Sequence, residues 1–126
     1  MNENILIVDD DKEIVDAIEF YLKPEDFNVL KAYDGIYAIE TLIDNNVDLV
    51  IMDVMMPNLD GLKATLKIRE NNNIPIILLS AKNQDIDKIL GLNMGADDYI
   101  TKPFNPLELI ARVKSQLRRF INLNSN

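Results

Sequence analysis

Apolar positions along this chain follow two alternating patterns. Unbroken runs at Ile5-Leu6-Ile7-Val8, Leu49-Val50-Ile51-Met52 and Ile76-Ile77-Leu78-Leu79 lack the polar alternation of a half-exposed strand. They predict strands buried on both faces. Phe27-Asn28-Val29-Leu30 predicts a further strand, and Asp97-Asp98-Tyr99-Ile100-Thr101, shorter in apolar content, predicts a fifth nearer a sheet edge. Between these runs the spacing changes to that of helices. Ile14, Ala17, Ile18, Tyr21 and Leu22 share one face of a first helix, which Pro24 ends. The second helix carries Ala38, Ile39, Leu42 and Ile43, and the third, from Gly61, carries Leu62, Thr65 and Leu66. Ile86, Ile89 and Leu90 anchor a fourth over roughly 84–94, with Gly95 as its stop. A fifth, from Pro106 to about Phe120, buries Leu109, Ile110, Val113, Leu117 and Phe120, and 122–126 reads as a frayed tail.

Five strand–helix units with nearly all-apolar strands imply an α/β fold, a parallel sheet covered by helices on both faces. For five strands the expected order is the flavodoxin-like 2-1-3-4-5, which sets every strand's C-terminal end along one edge. Three of the predicted strands end in residues with chemistry to offer: Asp9, Asp10 and Asp11 after the first, Asp53 after the third, Ser80 after the fourth. Lys102-Pro103 follows the fifth. Each has a plain structural explanation, and Asp11 is expected to be only the N-cap of the first helix. Their collection on one edge is harder to explain by turns and caps alone.

Composition narrows the chemistry. The 126 residues contain no cysteine and no histidine, which excludes disulfides, thiolate catalysis and sulfur- or imidazole-ligated metals. A net charge of -8 argues against nucleic acid as a direct partner of this chain. With no signal peptide and no apolar run of spanning length, the expected location is cytoplasmic, with no membrane partner. Clustered carboxylates repel one another unless a cation compensates them, and an all-oxygen donor set suits a hard divalent ion such as Mg²⁺. A lysine and a hydroxyl across such a site could hold phosphoryl oxygens, which is what phosphoryl transfer to a carboxylate requires.

The motifs Val8-Asp9-Asp10-Asp11, Met52-Asp53-Val54-Met55-Met56-Pro57, Leu79-Ser80-Ala81, Gly95-Ala96-Asp97-Asp98-Tyr99 and Lys102-Pro103-Phe104 together resemble a response-regulator receiver domain. The stretch from Gly95 through Arg119 is similar to the OmpR/PhoB subfamily, and most like VanR-type regulators. This resemblance implies a receiver domain over 1–121 and a linker or tail at 122–126. It implies that Asp53 accepts a phosphoryl group from a sensor histidine kinase, with Mg²⁺ held by Asp10 and Asp53 directly, Asp9 through water and Met55 through its carbonyl. Ser80 and Lys102 would hold phosphoryl oxygens, Ser80 and Tyr99 would form the switch, and a cis bond would precede Pro103. Kinase docking would use the outward residues of the first helix, Glu13, Asp16, Glu19 and Lys23. The chain would not be an enzyme beyond its own phosphorylation and dephosphorylation.

The same resemblance places a homodimer interface, used on phosphorylation, on Lys88, Asp97, Asp98, Glu108, Arg112 and Arg119. Lys88 would meet Glu108 and Asp98 would meet Arg112 across the two-fold axis, with Asp97 reaching Arg118 or Arg119. DNA would be contacted only through a winged-helix domain absent from this chain, and Arg118-Arg119 at the usual linker position favours a fragment of a transcription factor. Two other classes stay open at this stage. A phosphorylation-independent receiver-like interaction module would have lost pocket residues, and none is lost. A phosphatase of the haloacid dehalogenase type would share the Asp-x-Asp spacing of Asp9 and Asp11, but no Thr follows it.

Overall fold

The computed structural model describes the backbone of residues 2–81 and 85–124 and the side chains of 2–81 and 89–122. Strands β1 (Asn4–Val8), β2 (Asn28–Ala32), β3 (Leu49–Asp53), β4 (Ile76–Ala81) and β5 (Asp98–Lys102) alternate with helices α1 (Lys12–Leu22), α2 (Gly35–Asp44), α3 (Gly61–Arg69), α4 (Asp85–Asn93) and α5 (Pro106–Asn124). The strands form one parallel sheet in the order β2-β1-β3-β4-β5, the order expected from the apolar runs.

Side chains on successive strand residues point to opposite faces, so each run feeds two cores. Ile5, Ile7, Leu49, Ile51, Ile77 and Leu79 meet Val15, Ile18 and Leu22 of α1 and Leu109, Val113 and Leu117 of α5. Leu6, Val8, Val50, Met52, Ile76 and Leu78 meet Ala38 of α2 and Ala64 and Ile68 of α3 on the other face. Every residue of β3 is buried, as its central place in the sheet requires.

Local signals set the ends of the helices. Asp11 accepts a bond from the Glu13 amide at 3.0 Å and is the N-cap of α1, as expected. Asp34 and Asp60 cap α2 and α3 in the same way, through the amides of Tyr37 at 2.7 Å and Lys63 at 2.8 Å. Gly95 follows α4 at φ 109, a backbone conformation that an L side chain rarely adopts. Pro24 lies within a short 3-10 turn, Lys23–Glu25, that closes α1.

Several expected details shift. β2 runs from Asn28 to Ala32, because edge pairing with β1 extends through Val8↔Ala32 while Phe27 turns into the core ahead of the strand. β5 starts one residue later than expected and ends on Lys102. Helix α5 continues through Asn124, so residues 122–124 belong to it. On α2 the buried set is Gly35, Ala38 and Thr41, and Ile43 is 78% exposed. On α3 it is Gly61, Ala64, Thr65 and Ile68, with Leu66 54% exposed. On α4, Ile89 and Leu90 face solvent, and the Ile86 side chain lies outside the described residues. In each case the apolar stripe is wider than the strip of sheet available to cover it.

This division of α5 makes a direct test. Leu109 is fully buried and Leu107, two residues earlier, is 76% exposed. Leu109→Ala is expected to cost about 2–5 kcal/mol in urea unfolding, and Leu107→Ala about 0.5 kcal/mol or less.

Candidate functional site

The C-terminal edge of the sheet gathers the predicted residues because parallel pairing brings four strand ends level. Val8 pairs with Met52, Asp53 with Leu79, and Ala81 with Lys102. Asp9 and Asp10 follow β1, Asp53 ends β3, Ser80 lies near the end of β4 and Lys102 ends β5. Carboxylate oxygens of Asp9, Asp10 and Asp53 all lie within 4.8 Å of one another. Asp9 is 1% exposed and Asp53 6%, whereas Asp10 is open to solvent at the mouth.

Lys102 holds this cluster together. Its Nζ lies 2.8 Å from Asp9 Oδ2 and 3.1 Å from Asp53 Oδ1. Asp9 spends its other oxygen on the Asp11 amide at 3.0 Å. The Ser80 hydroxyl is buried beside them, committed only to a long 3.4 Å bond to the Ala81 carbonyl, which leaves it easy to redirect. The Lys102–Pro103 peptide is cis, as the resemblance implied.

The loop after β3 is pressed against Asp53 by a glycine. The Gly61 amide donates to the Val54 carbonyl at 2.8 Å, and a Cβ at Gly61 would lie 2.2 Å from the Asp53 carbonyl oxygen and 2.9 Å from Val54 Cα. Backbone cannot yield as a flexible side chain could, so only glycine fits there. In sequence, Asp60-Gly61 signals no more than a turn; the close approach is a tertiary fact. Met55, on the same loop, is 70% exposed.

Burial and like charge act together on the two inner carboxylates. Asp53 is pushed up to about 6, first by desolvation and then by the neighbouring Asp9, with Lys102 pulling the other way. Asp9 is also raised, by burial more than by charge. Burial alone would lower Lys102, but its bonds to Asp9 and Asp53 outweigh that and hold it above the ordinary lysine value. Among the described residues the pocket therefore sets three carboxylates against a single ammonium and can accept a divalent cation on charge grounds. Its all-oxygen donors match Mg²⁺ in kind.

The other predicted residues are placed as follows. Tyr99 is half-buried, its ring packed with the α2–α3 side of the core and its phenol oxygen shielded from solvent. Asp98 pairs with Arg112 within the single chain at 2.8 Å, and Arg112 also reaches Glu108 at 3.6 Å. Asp97 is held within the chain by Arg69 of α3 at 2.6 Å, and Arg118 and Arg119 are exposed. Arg69 escaped the sequence reading. It also donates to the carbonyls of Gly95, Ile74 and Asn72, so it ties the end of α3 to the turn before β5. The Lys88 side chain lies outside the described residues. Glu13 and Asp16 of α1 and Lys23 of the 3-10 turn are exposed; Glu19 pairs with Lys31 of β2 at 2.7 Å and with Lys23 at 3.3 Å, and Lys31 also reaches Asp16 at 3.2 Å.

Comparison with known proteins agrees with this arrangement. The family model described as "Response regulator receiver domain" matches residues 5–114. The regulatory protein VanR of Enterococcus faecium is 53% identical over 120 residues, covering 95% of this chain and 52% of the relative. The regulatory protein VanRc of Enterococcus gallinarum is 49% identical over 124 residues, covering 98% of this chain and 54% of the relative. The chain thus spans about half the length of these regulators. The solved receiver domain of a Francisella response regulator matches with a TM-score of 0.88 at 40% identity, over 94% of this chain and 99% of that one.

The upward shift of the Asp53 carboxyl has a stability consequence of definite sign. The carboxyl goes from its ordinary 3.8 to about 6 on folding, so between those values the folded chain binds more protons than the unfolded one. Stability therefore falls as pH rises through this window, and the full cost, about 3 kcal/mol, is present above pH about 6. Without divalent cation, Asp53→Asn is expected to raise the unfolding free energy at pH about 7.5 by about 1–3 kcal/mol, the gain fading as pH falls from about 6 to 4. Urea titrations at several pH values would show it. A variant less stable than wild type at pH about 7.5 would contradict this account.

Proposed function

This chain belongs to the response regulator receiver domain family, and on that premise we propose that Asp53 takes a phosphoryl group from the phosphohistidine of a sensor histidine kinase. The observation that carries this reading is the placement of Asp53: a buried carboxylate among two others, 3.1 Å from the ammonium of Lys102. Above pH about 6 it is ionised and able to act as a nucleophile. One carboxylate oxygen attacks phosphorus, the P–O bond forms as the P–N bond to imidazole breaks, and the imidazole leaves with the bonding pair and is protonated from solvent. The product is an acyl phosphate on Asp53.

The chain's own groups supply positioning and charge, which is most of what phosphoryl transfer asks of a protein. Lys102 moves part of its bonding from the Asp53 carboxylate to a phosphoryl oxygen. The Ser80 hydroxyl turns from its long bond with the Ala81 carbonyl to donate to another. Asp9, Asp10, Asp53 and the Met55 backbone carbonyl are the groups that would hold Mg²⁺, which when bound neutralises the charge gathering on the phosphoryl oxygens. A phosphorylation-independent interaction module has no use for a full set of this kind, and that favours the acceptor reading.

The response follows from where Ser80 leads. Its shift toward the phosphoryl group vacates space that the inward-facing Tyr99 ring can fill, and Tyr99 lies on β5 between α4 and α5. We place a homodimer interface, formed on phosphorylation, on α4, β5 and α5. Asp98, Arg112 and Glu108 are already paired within one chain there, and exposed Ile89, Leu90 and Leu92 supply apolar area. The ion pairs are part-exposed and worth about 0–1 kcal/mol each, so they select register while the apolar residues supply affinity. Lys88, Asp97 and Arg119 complete the proposed face. Kinase docking falls to the exposed side of α1, and control of DNA falls to a winged-helix domain in the full-length protein. The expected location is cytoplasmic; among the described residues no helix is long and apolar enough to cross a membrane.

Beryllium fluoride with Mg²⁺, a non-covalent stand-in for the phosphoryl group, tests both halves. At about 20 µM protein, wild type is expected to show bound fluorine resonances and to sediment as a dimer. Asp53→Asn is expected to do neither. Arg112→Glu is expected to bind the fluoride complex but stay monomeric. Binding by Asp53→Asn equal to wild type would overturn the acceptor assignment, and a dimer from Arg112→Glu would overturn the interface.

A further inference from the structure

Asp97 and Asp98 stand side by side on the proposed dimer face, and the chain holds them differently. Asp98 gives both carboxylate oxygens to Arg112, at 2.8 and 3.1 Å, and one of the two also takes the Tyr99 amide. Asp97 places its bonds on a single oxygen: Oδ2 accepts from Arg69 Nη2 at 2.6 Å and from the Ile76 amide at 2.9 Å. Among the described residues Oδ1 of Asp97 accepts no hydrogen bond, and the side chain is 35% exposed.

Arg69 is itself anchored to backbone. Its Nε donates to the Gly95 carbonyl at 2.8 Å and its Nη1 to the Ile74 carbonyl at 2.8 Å, so the planar fork is fixed on two sides before Nη2 reaches Asp97. The stem lies against Gly95, where a Cβ would come 2.9 Å from Arg69 Cγ and 3.3 Å from Cδ. Glycine is thus required there twice, by its φ of 109 and by the arginine over it. The Asp97 amide also donates to the Ile76 carbonyl at 2.9 Å, so backbone and carboxylate are both tied to the start of β4.

A carboxylate held by one oxygen offers the other without the entropy of ordering it, and an ionised carboxylate has lone pairs enough for two guanidinium groups. A complementary cation on the same face is Arg119, exposed on α5 one turn beyond Gln116, whose side-chain amide reaches the Asp97 carbonyl at 3.4 Å. We propose that Arg69 is a positioning residue for dimerisation: it keeps Oδ2 of Asp97 within the chain and presents Oδ1 to Arg119 of a second copy, so that two arginines share one carboxylate. This rests on the reading of α4, β5 and α5 as the dimer face. Asp98 must exchange Arg112 to meet a partner, whereas Asp97 meets one with its internal bonds intact.

The test is the dimer Kd of the beryllium fluoride complex, measured by sedimentation in a double-mutant cycle. Arg69→Met keeps a stem over Gly95 and removes the donors; it is expected to weaken the dimer about 3–10-fold while the bound fluorine resonances stay unchanged. Arg119→Met is expected to weaken it by a similar factor, and adding Arg69→Met to Arg119→Met is expected to change it by about two-fold or less. A merely structural role for Arg69 would lower affinity equally in both backgrounds. That result, a dimer unchanged in Arg69→Met, or one that tightens because Asp97 has been released, would each overturn the proposal and leave the dimer face standing. The wild type gives a readout that no variant's folding can disturb. Hydrogen exchange of the Arg69 guanidinium, followed by NMR, is expected to be slowed in the monomer and equally in the dimer. Faster exchange in the dimer would mean that the Arg69–Asp97 pair opens, and would overturn the proposal. A wild type that stays monomeric with beryllium fluoride bound overturns the dimer face, and this proposal with it.

Discussion

The structure depends on one unfavourable arrangement held in check: three carboxylates brought together at the edge of a buried sheet, with Lys102 as the cation among them. Burial first, and then the charge of Asp9 beside it, push Asp53 up to about 6. Lys102 is one long side chain shared between two acids on different strands, so it ties β5 to β3 and to the end of β1. What the pocket lacks is positive charge, and what it offers is oxygen. Those two properties define the ligand it suits, a hard cation together with a phosphoryl group.

The fold's contribution is to make that arrangement unavoidable. Parallel pairing levels the ends of β1, β3, β4 and β5, so residues far apart in sequence, such as Asp9 and Lys102, meet at 2.8 Å. The two apolar cores fix the strands from both faces and leave the carboxylates no route away from one another. Gly61 brings the loop after β3 down onto the Asp53 backbone, where a Cβ would lie 2.2 Å from its carbonyl oxygen. The strain of the site is thus carried by a sheet rigid enough to bear it, while Ser80 and Tyr99, the proposed switch residues, lie one and two strands away.

Much of this was legible from residues alone. Three apolar runs without alternation mark doubly buried strands, and with two further strands between helical stretches the order and the functional edge follow. Asp9, Asp10, Asp53, Ser80 and Lys102 therefore fall together on that edge from the sequence alone. Helix faces were less legible. Ile43 and Leu66 belong to apolar stripes, but a helix buries only the strip its sheet can cover, and the stripe does not say which edge is left over. β2 was displaced because an edge strand tolerates Lys31 where a central one would not. Contacts that join distant positions, such as Gly61 against Asp53 and Arg69 with Asp97, leave no periodic trace in the sequence. Of the residues assigned to the dimer face, Asp97 and Asp98 have partners within a single chain.

The most direct test of the central claim is the intact mass of the chain after incubation with Mg²⁺ and acetyl phosphate. Transfer to Asp53 predicts a gain of about 80 Da, one phosphoryl group, that is absent from Asp53→Ala and abolished by chelation of the metal. An equal gain in the Asp53→Ala variant would contradict the account, because the acceptor would then be another residue.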